Sequence, residues 1–413
     1  MTLFTPNLFR RWRQLAFCAA LLAALVCPAR ADVSVDSTSI DVGDPNEIVA
    51  FDLRGDGICQ ILVTGANGTI TVYDSKTLKR VWSKKLTDNP VTGPVIGDFL
   101  GNGANIIALA DSEGNVYFLY GGDGEIAATF KISGRIAVAP SVVPLKKRDG
   151  TDRDGLVVCD DSGSVHLLSV KDKTVTEEFV VPNAFVESTD REGRERVITV
   201  GRIPRPPTIA DVNGDGVPEI IIGTASGTIQ ATPINAPDKR IFWRAPEGTN
   251  IATSIAVGDF FHNGPALAFG TTKGDMWVLE YENEPGTTRY FHETAQQKLL
   301  GGANGDLIVS DFDGDGYMDL AGASEGIVST FDGAGTLTNY SSYGKQPYAA
   351  AATPISHLAI AYTDKNVPRL IFCEADGKLV MMDPTLKVDP ERTKASIPLQ
   401  DFTIAGNLSG IGK

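Results

Sequence analysis

Apolar positions along the chain fall in short runs broken by glycine-containing turns, and one such unit recurs. Its core is an apolar run, a turn, and a second alternating run, as in Ile61-Leu62-Val63-Thr64-Gly65 followed by Gly68-Thr69-Ile70-Thr71-Val72-Tyr73. The pattern returns at Ile106 to Tyr120, Leu156 to Ser169, Ile220 to Pro233, Leu267 to Glu280, Leu320 to Asp332 and Leu370 to Asp383, seven copies in all. Before most copies lies a short apolar stretch ending in an aspartate: Asp52, Asp98, Asp211, Asp259 or Asp311. Asp52 and Asp98 are 46 residues apart, Asp211 and Asp259 48, and Asp259 and Asp311 52. After most copies comes a fourth strand-like piece, such as Arg80 to Ser83 or Arg240 to Trp243. Four short strands per unit at this period describe a propeller blade. A parallel βα architecture would need helical periodicity between strands, and none is present.

The expected fold is therefore all-β, a seven-bladed β-propeller of four-stranded antiparallel blades over residues 48–398. A single blade cannot bury both faces, so stacking around an axis stabilises each unit and ring closure protects the edges. Within the N-terminal segment 32–47, Val33 to Ile40 alternates like an edge strand and is expected to complete the last blade. Residues 182–207 form an insertion between the third and fourth blades, and residues 399–413 a glycine-rich tail.

Two of the aspartates open longer acidic loops, Asp211-Val212-Asn213-Gly214-Asp215-Gly216-Val217-Pro218-Glu219 and Asp311-Phe312-Asp313-Gly314-Asp315-Gly316-Tyr317-Met318-Asp319. Asp-Gly and Asn-Gly pairs by themselves read as hairpin turns. The whole loops resemble the calcium loops of FG-GAP/VCBS repeats, as in integrin α-subunit propellers. The resemblance implies Ca²⁺ held by side chains at loop positions 1, 3, 5 and 9 and by the backbone carbonyl of position 7. In the fourth blade these are Asp211, Asn213, Asp215, the carbonyl of Val217, and Glu219. In the sixth they are Asp311, Asp313, Asp315, the carbonyl of Tyr317, and Asp319. Calcium takes six to eight hard oxygen ligands from a chain able to curl around it, and the glycines after position 5 permit that curl. The other loops keep the turn and lose ligands: Arg54 stands at position 3 after Asp52, and the loops from Asp98 and Asp259 end on Ile106 and Leu267. The stretch from Gly68 to Trp82 also resembles quinoprotein-type propeller repeats, which implies pyrroloquinoline quinone as a cofactor of an enzyme alternative.

Charge and the first residues place the chain. Arg10, Arg11 and Arg13 precede an apolar run from Leu15 to Val26 and then Ala29-Arg30-Ala31, the order of a secretory signal cleaved after Ala31. The run is too short to span a bilayer, so no membrane anchor is expected after cleavage, and the protein is exported to the periplasm or cell exterior. Residues 1–31 remove four arginines and no acids, taking the formal charge from −14 to −18. So acidic a surface excludes nucleic acid as a partner. The mature cysteines, Cys59, Cys159 and Cys373, are odd in number and sit in apolar runs, as buried thiols do.

No catalytic constellation emerges. His166, His262, His292 and His357 form no pair at metal-ligand spacing, and no nucleophile elbow or phosphate loop occurs. His166 reads as a packed strand residue, and Trp82, Trp243 and Trp277 as contacts between blades. The reading is a non-catalytic binding or scaffolding propeller for a protein or polysaccharide partner. The alternative is an enzyme on the same fold, either a quinoprotein-like dehydrogenase or a polysaccharide-degrading protein. Within the insertion, Val197 to Val200 is expected to add a strand or hairpin among Arg191, Arg194, Arg196, Arg202 and Arg205.

Overall fold

The computed structural model describes residues 45–56, 60–75, 77, 79–145, 152–189, 195–199, 201–282, 290–298, 307–312, 314–324, 327–333, 338–343, 358–362, 368–373 and 379–382. Among them there is no helix, and the strands form seven antiparallel sheets in chain order plus one hairpin. Blades one to six (45–85, 95–131, 141–181, 208–244, 256–298 and 307–343) each have four strands in simple up-and-down order. Blade seven (358–382) has three described strands. First strands touch between blades two and three, three and four, five and six, and six and seven, as Ser141–Leu145 touches both Val95–Gly97 and Thr208–Ala210, which places first strands innermost. The chain is a seven-bladed β-propeller, as the repeat predicts.

Burial follows from that stacking. Middle strands are covered on both faces and read as continuous apolar runs: every residue of Ile106–Ala110 and of Ala266–Gly270 is buried. Outer strands alternate instead, and Arg80–Lys85 buries none of its residues. The core is a set of layers between blades. Ile106, Ala108 and Phe118 of blade two pack with Leu156, Val158 and Leu168 of blade three, and Ile221 and Trp243 of blade four with Leu267 and Trp277 of blade five. The tryptophans do pack between blades. Trp82 donates from Nε1 to the Gly121 carbonyl of blade two, and its ring lies where a Cβ on Gly124 would come within 2.7 Å. Trp243 sits 5.5 Å from the Trp277 ring and 5.3 Å from Phe269, with Nε1 donating to Glu293.

One regularity has no counterpart in the hydrophobic pattern. In blades one, two, three, five and six the pairing of third and fourth strands shifts register at an equivalent place, between Val72 and Tyr73 in blade one and Val278 and Leu279 in blade five. Such bulges raise local twist, which lets an outer strand splay from the axis.

The boundaries need one adjustment. Blade one begins at Pro45–Phe51, so the end of the 32–47 segment is already its innermost strand. Residues 1–31, Val33 to Ile40, Cys59 and the tail 399–413 lie outside the described residues. In the insertion, Ala184–Thr189 pairs with Glu195–Thr199, the expected hairpin. The chain has rejoined the ring by Ile203, which is 2 % exposed.

Candidate functional site

Up-and-down blades give the molecule two unlike faces. The loops joining first to second strands, which include the acidic loops, lie on one. The turns joining second to third strands, and the connections between blades, lie on the other.

On the acidic face each loop is folded by its first aspartate. In blade four Asp211 accepts from the backbone N–H of Gly214 and Asp215 with Oδ1, at 2.8 and 3.2 Å, and from Gly216 with Oδ2 at 2.8 Å. Asn213 Oδ1 accepts from Asp215 N, and Asp215 Oδ1 from Val217 N. Glu219 is fully buried; Oε2 accepts from Val212 N and Oε1 from the Asn213 amide. Blade six repeats the arrangement. Asp311 accepts from Gly314 N and Gly316 N, Asp315 from Tyr317 N, and buried Asp319 from Phe312 N and Gly333 N. Asp313 lies outside the described residues.

The loops without a full ligand set use the same scaffold. Asp52 accepts from Arg54 N and Asp56 N, Asp98 from Asn102 N and Gly103 N, and Asp259 from Gly264 N. Gln60, ninth in its loop, accepts from Leu53 N as Glu219 does from Val212 N. The apolar residue second in each loop, Leu53, Phe99, Val212, Phe260 or Phe312, is buried beneath it. Positions 1 and 9 thus have a folding role that is independent of any ion. Among the described residues no three His, Cys, Asp or Glu side chains converge as a metal-holding group. The donors of blade four, Asp211, Asn213, Asp215, Val217 and Glu219, are all oxygens in one turn and suit a hard cation. As they stand they serve their own backbone, so gathering them on an ion requires side chains to turn.

The opposite face is built from a second repeated turn. Asp111 Oδ1, Asp160 Oδ1, Thr224 Oγ1 and Thr271 Oγ1 accept the N–H four residues on, in blades two to five. The next residue in each turn donates its N–H to the inter-blade connection: Ser112 to Pro90, Asp161 to Arg135, Ala225 to Arg202 and Thr272 to Asn250. Arg135 and Arg202 therefore hold equivalent places in adjacent connections, and both are exposed. They line a cavity of about 580 Å³ with Glu47, Thr92, Ile136 and Asp161. The hairpin rises from its rim: Asn183, before it, donates to the Ser162 carbonyl, and the Gly201 carbonyl, after it, lies against Gly163.

Sequence reasoning missed the polar anchors of these turns. Asp111 also takes Asn115 Nδ2 at 2.7 Å and the Tyr117 hydroxyl at 3.1 Å. Asp160 takes the Ser162 hydroxyl and faces His166 Nε2 at 3.5 Å, while His166 Nδ1 meets Glu177 at 2.8 Å. Burial alone would raise the Asp160 pKa, but His166, Ser162 and Ser164 outweigh it and bring the carboxyl to about 2. Burial likewise opposes the charge on His166, and Asp160 and Glu177 overcome it and raise its pKa. Cys159 is a free, buried thiol whose pKa burial pushes up, an inert packing residue.

No protein-family model matches the sequence, and no curated protein matches it. Solved structures do. BamB from Moraxella catarrhalis shares 13% identity at a TM-score of 0.53, over 83% of this chain and 86% of that chain. Sqt1 from Saccharomyces cerevisiae shares 12% at 0.55, over 83% and 86%. The Cps50 (Swd1) β-propeller domain of Myceliophteria thermophila shares 12% at 0.51, over 82% and 95%. Likeness at these identities belongs to the fold: the chain is built like these β-propellers.

Proposed function

We propose that the chain is an exported, calcium-binding propeller of the FG-GAP/VCBS type that acts as a non-catalytic binding or scaffolding module. A protein or polysaccharide partner would sit on the face opposite the acidic loops. The observation that carries this reading is the mouth of that face. A cavity of about 580 Å³ opens there between the connections of successive blades, Arg135 and Arg202 line it, and an inserted hairpin stands at its edge. Two exposed guanidinium groups in an acidic chain offer planar, bidentate recognition of carboxylates. His166, flanked by two carboxylates, is 5 % exposed and enclosed in blade three.

Calcium fits the donors of the blade-four loop by their chemistry. Asp211 closes the first strand of its blade and Glu219 opens the second, so a shared ion would tie the two strands at one end and neutralise the carboxylates between them. Because those oxygens must leave backbone amides to gather, affinity is expected to be weak, on the order of 10⁻⁴–10⁻³ M as in other extracellular modules.

The test is capture from an envelope extract by the immobilised mature protein, with and without calcium, beside an Arg135→Ala/Arg202→Ala variant. Partners recovered by the wild type and lost by the variant, at equal melting temperature, support the reading. Equal recovery by both, turnover of a polysaccharide panel, or a quinone absorption band after reconstitution would contradict it.

A further inference from the structure

The blade-five loop has shed the ligand set and gained a contact with blade six. In the loops of blades one, two, four and six the fourth residue is a glycine with positive φ: Gly55 at 67°, Gly101 at 67°, Gly214 at 72° and Gly314 at 86°. Blade five puts His262 in that place at 56°. A side chain in the left-handed region is strained where glycine is not, so the contacts His262 makes must offset that strain.

Those contacts all reach the acidic loop next door. The imidazole stacks on the Tyr317 ring, with centroids 3.7 Å apart and planes 7° from parallel. Its Nε2 lies 2.9 Å from the Gly316 carbonyl, which can only accept, so Nε2 carries the proton in that contact. The N–H and C=O of a trans peptide unit point in opposite directions. In the unit joining Gly316 to Tyr317, the C=O meets His262 and the N–H meets Asp315 Oδ1 at 2.8 Å, so both ends are held. In the following unit Met318 N donates to the Asp259 carbonyl of blade five at 3.2 Å. That bond directs the Tyr317 carbonyl away from blade five. Blade four has the matching bond from Val217 N to Asp215, but its next residue is Pro218, which has no N–H to be held.

We infer that the blade-five loop is a clamp that presets the Tyr317 carbonyl for a hard divalent cation: the Asp259 carbonyl fixes its peptide unit through Met318 N, and His262, a positioning residue, fixes the unit before it and the Tyr317 ring. This rests on the calcium reading above. Holding a ligand's orientation from outside the coordination shell commonly changes metal affinity by about tenfold to a hundredfold.

The experiment is a terbium titration of the mature protein and of His262→Gly, followed by luminescence excited through tyrosine. Terbium stands in for calcium, and Tyr317 places an aromatic antenna in the blade-six loop where blade four has Val217. Glycine is the residue the other loops use, so the variant relieves strain and keeps the fold. The clamp requires sensitised emission in the wild type, displaced by calcium. It also requires an apparent affinity about tenfold or more weaker in His262→Gly, with the melting temperature in chelator unchanged. Equal affinity in the two proteins overturns the clamp and leaves the calcium reading intact. Absence of calcium-displaceable emission in the wild type overturns the clamp and the blade-six ion, while the blade-four ion is read separately by the metal count.

Discussion

Asp111 and Asp160 hold the same place in successive blades and are satisfied by different partners. Asp111 is fully buried with four donors on its two oxygens, from Glu113 N, Asn115 N, Asn115 Nδ2 and Tyr117. Asp111→Ala leaves those donors unpaired, and each buried orphan costs about 1–3 kcal/mol. The expected loss is about 3 kcal/mol by urea unfolding at unchanged slope; a loss under about 1 kcal/mol would show that water replaces the carboxylate. Asp160 and His166 add a pH dependence. The Asp160 carboxyl is depressed to about 2, so its stabilisation is present above the ordinary carboxylate range and is lost as pH falls toward that value. His166 is raised, so its contribution is full below the ordinary histidine range and fades as pH rises through the raised value. Melting temperature should therefore decline as pH rises from the ordinary histidine range through the raised value, and His166→Gln should flatten that decline. An equal slope in the variant would place the titration elsewhere. Neither aspartate was legible as an anchor beforehand, because a turn aspartate in sequence looks the same whether its carboxylate faces water or a buried hydroxyl.

At the scale of the element, blades were readable because period-two alternation, glycine turns and the recurring aspartate agree with one another. The bulge between third and fourth strands was not, since one unpaired residue leaves the apolar pattern intact. The inserted strands were anticipated from Val197 to Val200, but the limits of the dispensable part were not. Gly201 and Arg202 supply carbonyl contacts to neighbouring turns, and Ile203 is core, so the separable unit is the hairpin 184–199. Its ends, Ala184 and Thr199, are cross-strand partners, close enough for a short linker to join. Replacing 185–198 with a brief Gly/Ser linker should leave melting within about 2 °C of the wild type. A fall of about 10 °C or more would show the hairpin to be structural. Trp243→Ala is the contrast at a seam between blades, where truncating a large buried aromatic costs about 3–5 kcal/mol in thermal or urea unfolding.

At the scale of the whole molecule, the question is what the acidic loops do for a chain whose formal charge is −14. The two faces differ: one carries the loops opened by Asp211 and Asp311, the other the cavity, Arg135, Arg202 and the hairpin. The acidic loops were legible as loops and as oxygen donors. Their role in folding, in which first and ninth residues hold backbone amides, was not, because a carboxylate reads the same in sequence whether it meets a cation or a backbone N–H. That duality makes a direct count of bound metal the deciding measurement. Equilibrium dialysis of the mature protein, extrapolated to saturating calcium, should give two ions per chain and Asp215→Ala one, with Asn102→Ala and Asn263→Ala unchanged from the wild type. Occupancy at about 100 times the dissociation constant would add about 2.7 kcal/mol of stability, and magnesium should do much less because it sheds water reluctantly. No bound calcium, or more than two ions per chain, would contradict the account.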